Sequence, residues 1–395
     1  MRRRTATVTV SCGVSVAPWR GEGRPPVTIP RVEWTPEYSI SRVIKGGWQL
    51  AGGHGPVGRA QALADMRCFV EAGITTFDCA DIYTRVESLI GAFLADRPRD
   101  RRGGALSEVQ VHTKFVPDLA ALATLSEHDV ERAIDRSLQR LGVARLDLVQ
   151  FHWWDFEIPG HVETALVLER LRRDGKIGFI GVTNYDARHL RELVDAGVPI
   201  VANQVQYSLL DRRPRGDMTA LCREVGIALL CYGTVAGGLL SDRYLNVPPP
   251  GPPYENRSLT KYMLIVDEFG GWDRLQELLR VLRRVADRHD VSVPMIATRF
   301  VLQQPEVAGA IVGARHVRHL PEMCAVFRFD LTEDDLRVID EVIEAAPGPL
   351  GPVYGLERRK HSVHAKIMHY DLNRKAASTR SSHSSTRDAN SLGCS

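Results

Sequence analysis

"SEHDVERAIDRSLQRLGVARLDLVQFH", Ser126 to His152, is one complete phrase of a pattern that runs through the chain. Ser126 and Asp129 stand at capping-box spacing, with Asp in place of the usual Glu, and Val130, Ile134, Leu138 and Leu141 follow near helical spacing. Gly142 stops such a helix by taking a left-handed backbone conformation. The bulky run "LDLVQFH" then reads as a strand, and its lack of strict polar alternation is that of a strand buried on both faces.

The phrase recurs as "VETALVLERLRRDG" then "KIGFIGVT", as "ARHLRELVDAG" then "PIVANQVQY", and as "DMTALCREVG" then "IALLCYG". Earlier strands fall near "SRVIKGG", "GITTFDC" and "EVQVHTKF", and a last one at "VAGAIVGA". About eight strands spread over roughly 290 residues predict an α/β protein, a single (β/α)8 barrel over residues 36–346. The rival, an open doubly wound sheet, calls for a G-x-G-x-x-G turn after the first strand, and "GGWQLAGGHG" lacks that spacing. After the seventh strand, residues 241–272 form a proline-rich connection far longer than usual, a long loop in this reading. Its aromatics Tyr254, Tyr262 and Trp272 point to a structured lid over the face where barrel active sites lie.

The composition, 44% apolar and 25% charged, is that of a globular protein, and a net charge of +3 is too small to make nucleic acid a bulk electrostatic partner. Seven cysteines form an odd set with no C-x-x-C pair and no zinc-like spacing, so reduced thiols and no metal are expected. The most apolar segment, "GIALLCYGTVAGGLL", is shorter than the about 20 residues a bilayer requires. Residues 1–30 form a basic leader, with Arg2, Arg3, Arg4 and Arg20 and no acid before Glu22, a bias shared with organellar transit peptides. The address it implies is an organelle, plastid ahead of mitochondrion; without it the chain is cytoplasmic. Residues 361–395 end in the polar, low-complexity "RKAASTRSSHSSTRDANSLGCS" and read as a disordered tail. Nothing in the pattern reports an oligomeric state.

In a barrel the C-terminal ends of the strands share one mouth, so polar residues there converge however far apart they lie in the chain. Those ends carry Asp78 after strand two, Lys114 after strand three and His152 after strand four, with Tyr83 just past Asp78. An ammonium beside a phenol stabilises the phenolate, and a carboxylate beside the ammonium keeps it charged. Asp78, Lys114 and Tyr83 supply those roles, and His152 would hydrogen-bond a bound carbonyl oxygen. Singly, each has a bland explanation: a helix cap, a solvated lysine, a packing tyrosine, a structural histidine. Their shared register at successive strand ends is what those explanations leave out. Trp48, Trp153 and Trp272, with Trp154, point to an aromatic substrate mouth, although core packing accounts for some of them equally well.

Asp78, Ala80, Tyr83, Glu87, Ile90 and Gly91 resemble the signature D-x-A-x-x-Y-G-x-x-E-x-x-L-G of the aldo-keto reductase superfamily, with Thr84 at the usual glycine. "VHTK" and "LDLVQFHW" resemble the two motifs that follow it, and the likeness covers about Ser41 to Ile343. It implies NADPH as cofactor, a small carbonyl substrate, and proton donation by Tyr83. By the same resemblance Thr183, Asn184 and Gln204 hold the nicotinamide amide and Tyr207 stacks on its ring. Gly313, Ala314, Arg315 and Glu322 form the phosphate and adenine turn, where His319 and Met323 depart from the family pattern and Arg315 and Arg318 remain for a 2′-phosphate. Gly47 stands where a threonine is common. The expected function is NADPH-dependent reduction of an aldehyde or ketone. The alternatives are a cofactor-binding redox sensor or scaffold with little turnover, and an aldolase forming a Schiff base on Lys114.

Overall fold

Strands that bury both faces must be covered on one side by helices and on the other by each other, and a closed ring of parallel strands does both. The computed structural model describes residues 27–52, 54–55, 58–96, 109–313 and 316–373. A hairpin of β1 (Arg31–Thr35) and β2 (Tyr38–Ser41) comes first. The repeating units follow: β3 (Val43–Gly46), α1 (Arg59–Glu71), β4 (Thr76–Asp78), α2 (Val86–Ala95), β5 (Gln110–Phe115), α3 (Glu127–Leu141), β6 (Leu146–Phe151) and α4 (His161–Arg173). The second half runs β7 (Ile177–Thr183), α5 (Ala187–Asp195), β8 (Ile200–Gln206), α6 (Asp217–Val225) and β9 (Ala228–Tyr232). Then come α7 (Arg257–Phe269), α8 (Gly271–His289), α9 (Val293–Leu302), β10 (Val307–Gly313), α10 (Leu320–Ala325), α11 (Glu333–Glu344), α12 (Gly355–Arg358) and α13 (Val363–Lys366). Strands β3 to β10 pair in parallel and close with β10 against β3, the predicted (β/α)8 barrel.

The opening phrase folds as its residues require. Ser126 accepts from the Asp129 amide while Asp129 reaches back to the Ser126 amide, and Gly142 ends α3 at φ 67°. In β6, Leu148 joins the apolar cluster inside the barrel, while Val149 and Phe151 join the larger one between strands and helices. Period-two alternation thus feeds two cores, each buried side chain contributing on the order of 2 kcal/mol.

Two regions differ from the sequence expectation. Of residues 241–272, Asp242–Tyr244 is a 3-10 turn and Arg257–Phe269 is the helix α7, with the Asn256 side chain capping the Leu259 amide. Leu259, Tyr262, Met263 and Val266 bury one face of α7 at helical spacing, so only the proline-rich stretch before Asn256 is irregular. At the other end of the chain, packing continues past residue 346: α13 and Tyr370 are seated on the barrel, and the Leu119 amide donates to the Tyr370 carbonyl. The hairpin β1–β2 closes the opposite, N-terminal end with Trp34 and Tyr38. Most of the basic leader, residues 1–26, and residues 374–395 of the tail lie outside the described residues. No helix among the described residues is long and apolar enough to cross a membrane.

Candidate active site

Strand β5 carries Gln110, His112 and Lys114 two residues apart, so all three face the barrel interior, and all three are buried. At the top of this column Lys114 Nζ lies 2.6 Å from Asp78 Oδ2 and 2.8 Å from the Cys79 carbonyl. The other carboxylate oxygen of Asp78 accepts from Gln150 Nε2 at 3.0 Å and Gln204 Nε2 at 2.6 Å. Gln204 also donates to Gln150 Oε1 at 2.8 Å. A buried ion pair repays its desolvation only when the remaining lone pairs and protons are satisfied, and these two amides do that for Asp78. Gln150 escaped the sequence reading although it sits two residues before His152 on the same face of β6; that spacing was the available signal.

Tyr83 lies above this pair, its ring centroid 5.0 Å from Lys114 Nζ and 5.1 Å from the Trp48 ring. The expected lowering of the phenol by the ammonium is not what this geometry produces. Burial first, then the charges of Asp78, Cys79 and Asp81, push Tyr83 well above the ordinary phenol value. The ammonium is directed at Asp78, and Tyr83 keeps its proton.

His152 completes the group of four, with Nδ1 3.0 Å from the Thr183 carbonyl and Nε2 buried without a hydrogen-bond partner among the described residues. Burial, then the cation of Arg358, hold the imidazole down to about 3, so it is neutral. Trp154 meets the His152 ring edge-on at 4.3 Å and Tyr354 at 5.7 Å.

The rest of the acidic stretch around Tyr83 is scaffolding. Glu87 accepts from Thr113 Oγ1 at 2.7 Å and Arg140 Nη1 at 2.9 Å, tying α2 to β5 and α3. Asp81 accepts from the Val116 amide. Gly91 lets α2 and α3 touch, since a Cβ there would lie 2.3 Å from the Arg140 carbonyl. Gly47 is required for a similar reason: its amide donates to the Asp78 carbonyl at 2.7 Å and a Cβ would meet that same oxygen.

The residues expected to hold a nicotinamide are split. Thr183, Asn184 and Gln204 meet at the ends of β7 and β8, where Asn184 takes φ 63° and its Oδ1 accepts from Tyr232 at 2.9 Å. Tyr207 does not join them. Its ring is 1% exposed, its hydroxyl is 3.3 Å from Gln304 and burial lifts it to about 12, so it offers no face for stacking. The half-buried Tyr232, inward-facing at the end of β9, is the aromatic that reaches this corner, and sequence reading passed over it. At the far end, Gly313 is backed by the Gln49 amide, and Glu322 pairs with His319 at 3.5 Å. Met323 turns into the core, and Ala314 and Arg315 lie outside the described residues.

Of the tryptophans, Trp48 packs on Tyr83 as a mouth residue would. Trp153 is fully buried with Nε1 on the Ile158 carbonyl and offers no open face, and Trp272 donates to the Val247 carbonyl beside Tyr244. Trp154 stands beside His152. It lines a cavity of about 290 Å³ together with Leu119, Tyr354, Arg358 and Tyr370. The C-terminal segment that builds this cavity is anchored by charge. Glu357 lies 3.1 Å from Arg213 and 3.5 Å from Lys261. Burial alone would raise its carboxyl, but Lys261 and Arg213 outweigh it and hold it down to about 2. Arg358 donates to the carbonyls of Asn184 and Trp153, both at 2.8 Å. No motif announced Tyr354 or Arg358, because their place over the mouth depends on where the chain returns after the last helix.

Comparison with known proteins agrees with this geometry. The model of the Aldo/keto reductase family matches residues 42–344. The NADH-specific methylglyoxal reductase of Escherichia coli is 27% identical over 335 residues, 79% of this chain and 97% of that protein. The chloroplastic pyridoxal reductase of Arabidopsis thaliana is 28% identical over 291 residues, 70% of this chain and 75% of that one. The structure of a glycerol dehydrogenase from Gluconobacter oxydans superposes with a TM-score of 0.67 at 23% identity, covering 82% of this chain and 97% of that one, a likeness of fold.

Proposed function

This chain belongs to the aldo/keto reductase family and is an NAD(P)H-dependent oxidoreductase acting on carbonyl groups, and on that premise we propose that it reduces an aldehyde or ketone to the alcohol with NADPH, Tyr83 giving the proton. The observation that carries the proposal is the protonated Tyr83 set over a saturated Lys114–Asp78 pair.

The side chains at the mouth fit a nicotinamide. Tyr232 offers a half-buried ring, and Gln204 keeps its Oε1 for an amide while its Nε2 holds Asp78 and Gln150. A bound reduced nicotinamide supplies the hydride. Tyr83 then donates to the substrate oxygen as charge develops there, and a phenol raised by burial readily gives up its proton to so strong a base as an alkoxide. Asp78 keeps Lys114 charged and in place, 5.0 Å from the centre of the Tyr83 ring. Trp48 and Trp154 exclude water from the reacting carbon. Support for NADPH over NADH rests on Arg318, which donates to His319 on the turn after β10, and on Arg315 three positions before it in sequence.

The test is a fluorescence titration with NADPH and with NADH, followed by an aldehyde. Tighter binding of NADPH and loss of its 340 nm absorbance are expected. Tighter NADH binding would transfer the cofactor choice, and binding without consumption across several aldehydes and ketones would overturn the reductase reading.

A further inference from the structure

The cavity beside the mouth is lined by a cation that has no counter-charge. Arg358 spends two of its five N–H hydrogens on backbone: Nη1 donates to the Asn184 carbonyl and Nη2 to the Trp153 carbonyl, both at 2.8 Å. The remaining hydrogens include the one on Nε, which is buried and has no partner among the described residues. Phe156 and Tyr354 set their rings against the guanidinium, with centroids at 4.2 and 5.1 Å. Burial lowers this arginine from its ordinary value, and an arginine is a cation at neutral pH all the same.

The carboxylates nearby are committed elsewhere. Glu357, its neighbour in the chain, turns to Arg213 and Lys261, Asp155 to Lys360, and Asp186 to His189. Among the described residues no carboxylate forms an ion pair with Arg358, nor with Lys366, which is exposed on the same wall. A strut that only tied the cover to the mouth would need two donors and no charge, which a glutamine amide provides. A buried charge without an opposite one is costly. Trp154, Tyr354 and Tyr370 give the cavity flat walls, and the first two also meet the His152 ring edge-on, so the cavity adjoins the mouth. The wall from Tyr354 onward lies beyond the residues matched to the family, 42–344, and is this chain's own.

We infer that Arg358 receives an anionic group of the substrate, a carboxylate or a phosphate, and that aromatic aldehydes carrying such a group are the preferred substrates. The inference rests on the carbonyl-reductase reading. An oxyanion in the cavity supplies the missing charge and accepts from the hydrogens that the two carbonyls leave, and the Lys366 ammonium adds attraction at the rim. The rings of Trp154, Tyr354 and Tyr370 suit a flat aromatic body between that anion and the mouth. The hydride goes to the carbonyl carbon and the Tyr83 proton to its oxygen. The anionic group is held without being transformed, so the product is the benzylic alcohol that still carries it, and no further reactant is needed. Arg358 thus sets specificity and takes no part in the bond changes.

The experiment pairs each anion with its neutral ester: para-formylbenzoate with its methyl ester, and para-formylphenyl phosphate with its dimethyl ester. Each ester keeps the ring and the electron withdrawal and loses the charge. In the unaltered protein kcat/KM should favour the anion in at least one pair by about tenfold or more, the scale of a hydrogen bond between charged groups, and the larger ratio tells carboxylate from phosphate. In Arg358→Met that ratio should fall towards one, while Arg358→Lys, which keeps a cation, should retain part of it. Ratios near one for both pairs in the unaltered protein, or a ratio untouched in Arg358→Met, overturn the inference. An equal fall in Arg358→Lys assigns the preference to the strut instead of the charge and overturns it too. Should the substituted proteins not fold, calorimetry on the unaltered cofactor-bound protein decides: benzoate or phenyl phosphate should bind about tenfold more tightly than benzamide, and equal affinities overturn the inference. Should none of the four aldehydes be reduced by the unaltered protein, the reductase reading fails, and the same calorimetry still decides whether the cavity takes an anion.

Discussion

Two buried histidines face the inside of the barrel on neighbouring strands, and they differ in what covers them. His112 and His152 are both held down to about 3, burial being the first cause in each. Each has one ring nitrogen satisfied and one without a partner among the described residues. His112 looks toward the hairpin: its Nε2 shares a hydrogen bond with the Tyr38 hydroxyl at 3.0 Å and its ring stacks on Trp34 at 5.6 Å. Arg31 fastens that hairpin to Thr75 and Gln110 at the foot of the barrel. His152 looks toward a cover held by Glu357 and Arg358, a segment that comes from the far end of the chain. A perturbed imidazole thus does not by itself mark a reaction site. The floor has its own buried phenol in Tyr38, so the saturated lysine pair beneath Tyr83 and a cavity on the rim are what distinguish the mouth from the floor.

The comparison can be broken most forcefully through the pair that crowns the polar column. Lys114→Met leaves Asp78 buried without its cation, and a stability loss of about 3–5 kcal/mol is expected in urea unfolding, with reductase activity gone. A loss within about 0.5 kcal/mol, the range of an ordinary surface substitution, would mean the pair is not buried as described. Tyr83→Phe should follow, with carbonyl reduction down roughly 10²-fold or more and cofactor binding retained. Its counterpart at the floor, Tyr38→Phe, should cost about 1–3 kcal/mol through the second unpaired nitrogen of His112 and leave kcat/KM of the folded protein unchanged. An equal loss of activity in both phenylalanine variants would dissolve the distinction between the two ends.

The smallest effect expected is on the pH–rate profile, which should show no step near 6.5 because neither histidine titrates there in the folded chain. Stability behaves differently. Below about 6.5 the unfolded chain binds protons on both histidines, while the folded chain does not until about 3, so stability falls as pH falls through that window and this contribution is flat above it. Urea midpoints at pH 7.5 and 5 report the loss, and His112→Gln should shrink it. An undiminished acid loss in that variant would remove His112 from the account.

The barrel was legible because its cause is local and repeated. The capping box at Ser126, the glycine at Gly142 and the apolar strand after it each follow from residues a few positions apart. Asp78, Tyr83, Lys114 and His152 were legible for a related reason, since parallel strands of a barrel share one mouth and strand ends can be counted. Helix α7 was missed because prolines before it drew attention away from the spacing of Leu259, Tyr262, Met263 and Val266. Tyr207 was assigned by resemblance alone; Tyr232 ends the next strand, and burial separates the two.

Residue type and spacing therefore settle which strands form, which way their side chains alternate and which chemical groups arrive at the open end. Three things depended on the folded chain: that Lys114 is turned to Asp78 rather than to the Tyr83 hydroxyl, that His152 sets Nδ1 against the Thr183 carbonyl, and that Tyr354 and Arg358 close the mouth. Each is a matter of direction and proton placement between groups far apart in sequence. Local pattern carries no information about those until packing has brought the groups to within a few ångströms and removed the water between them.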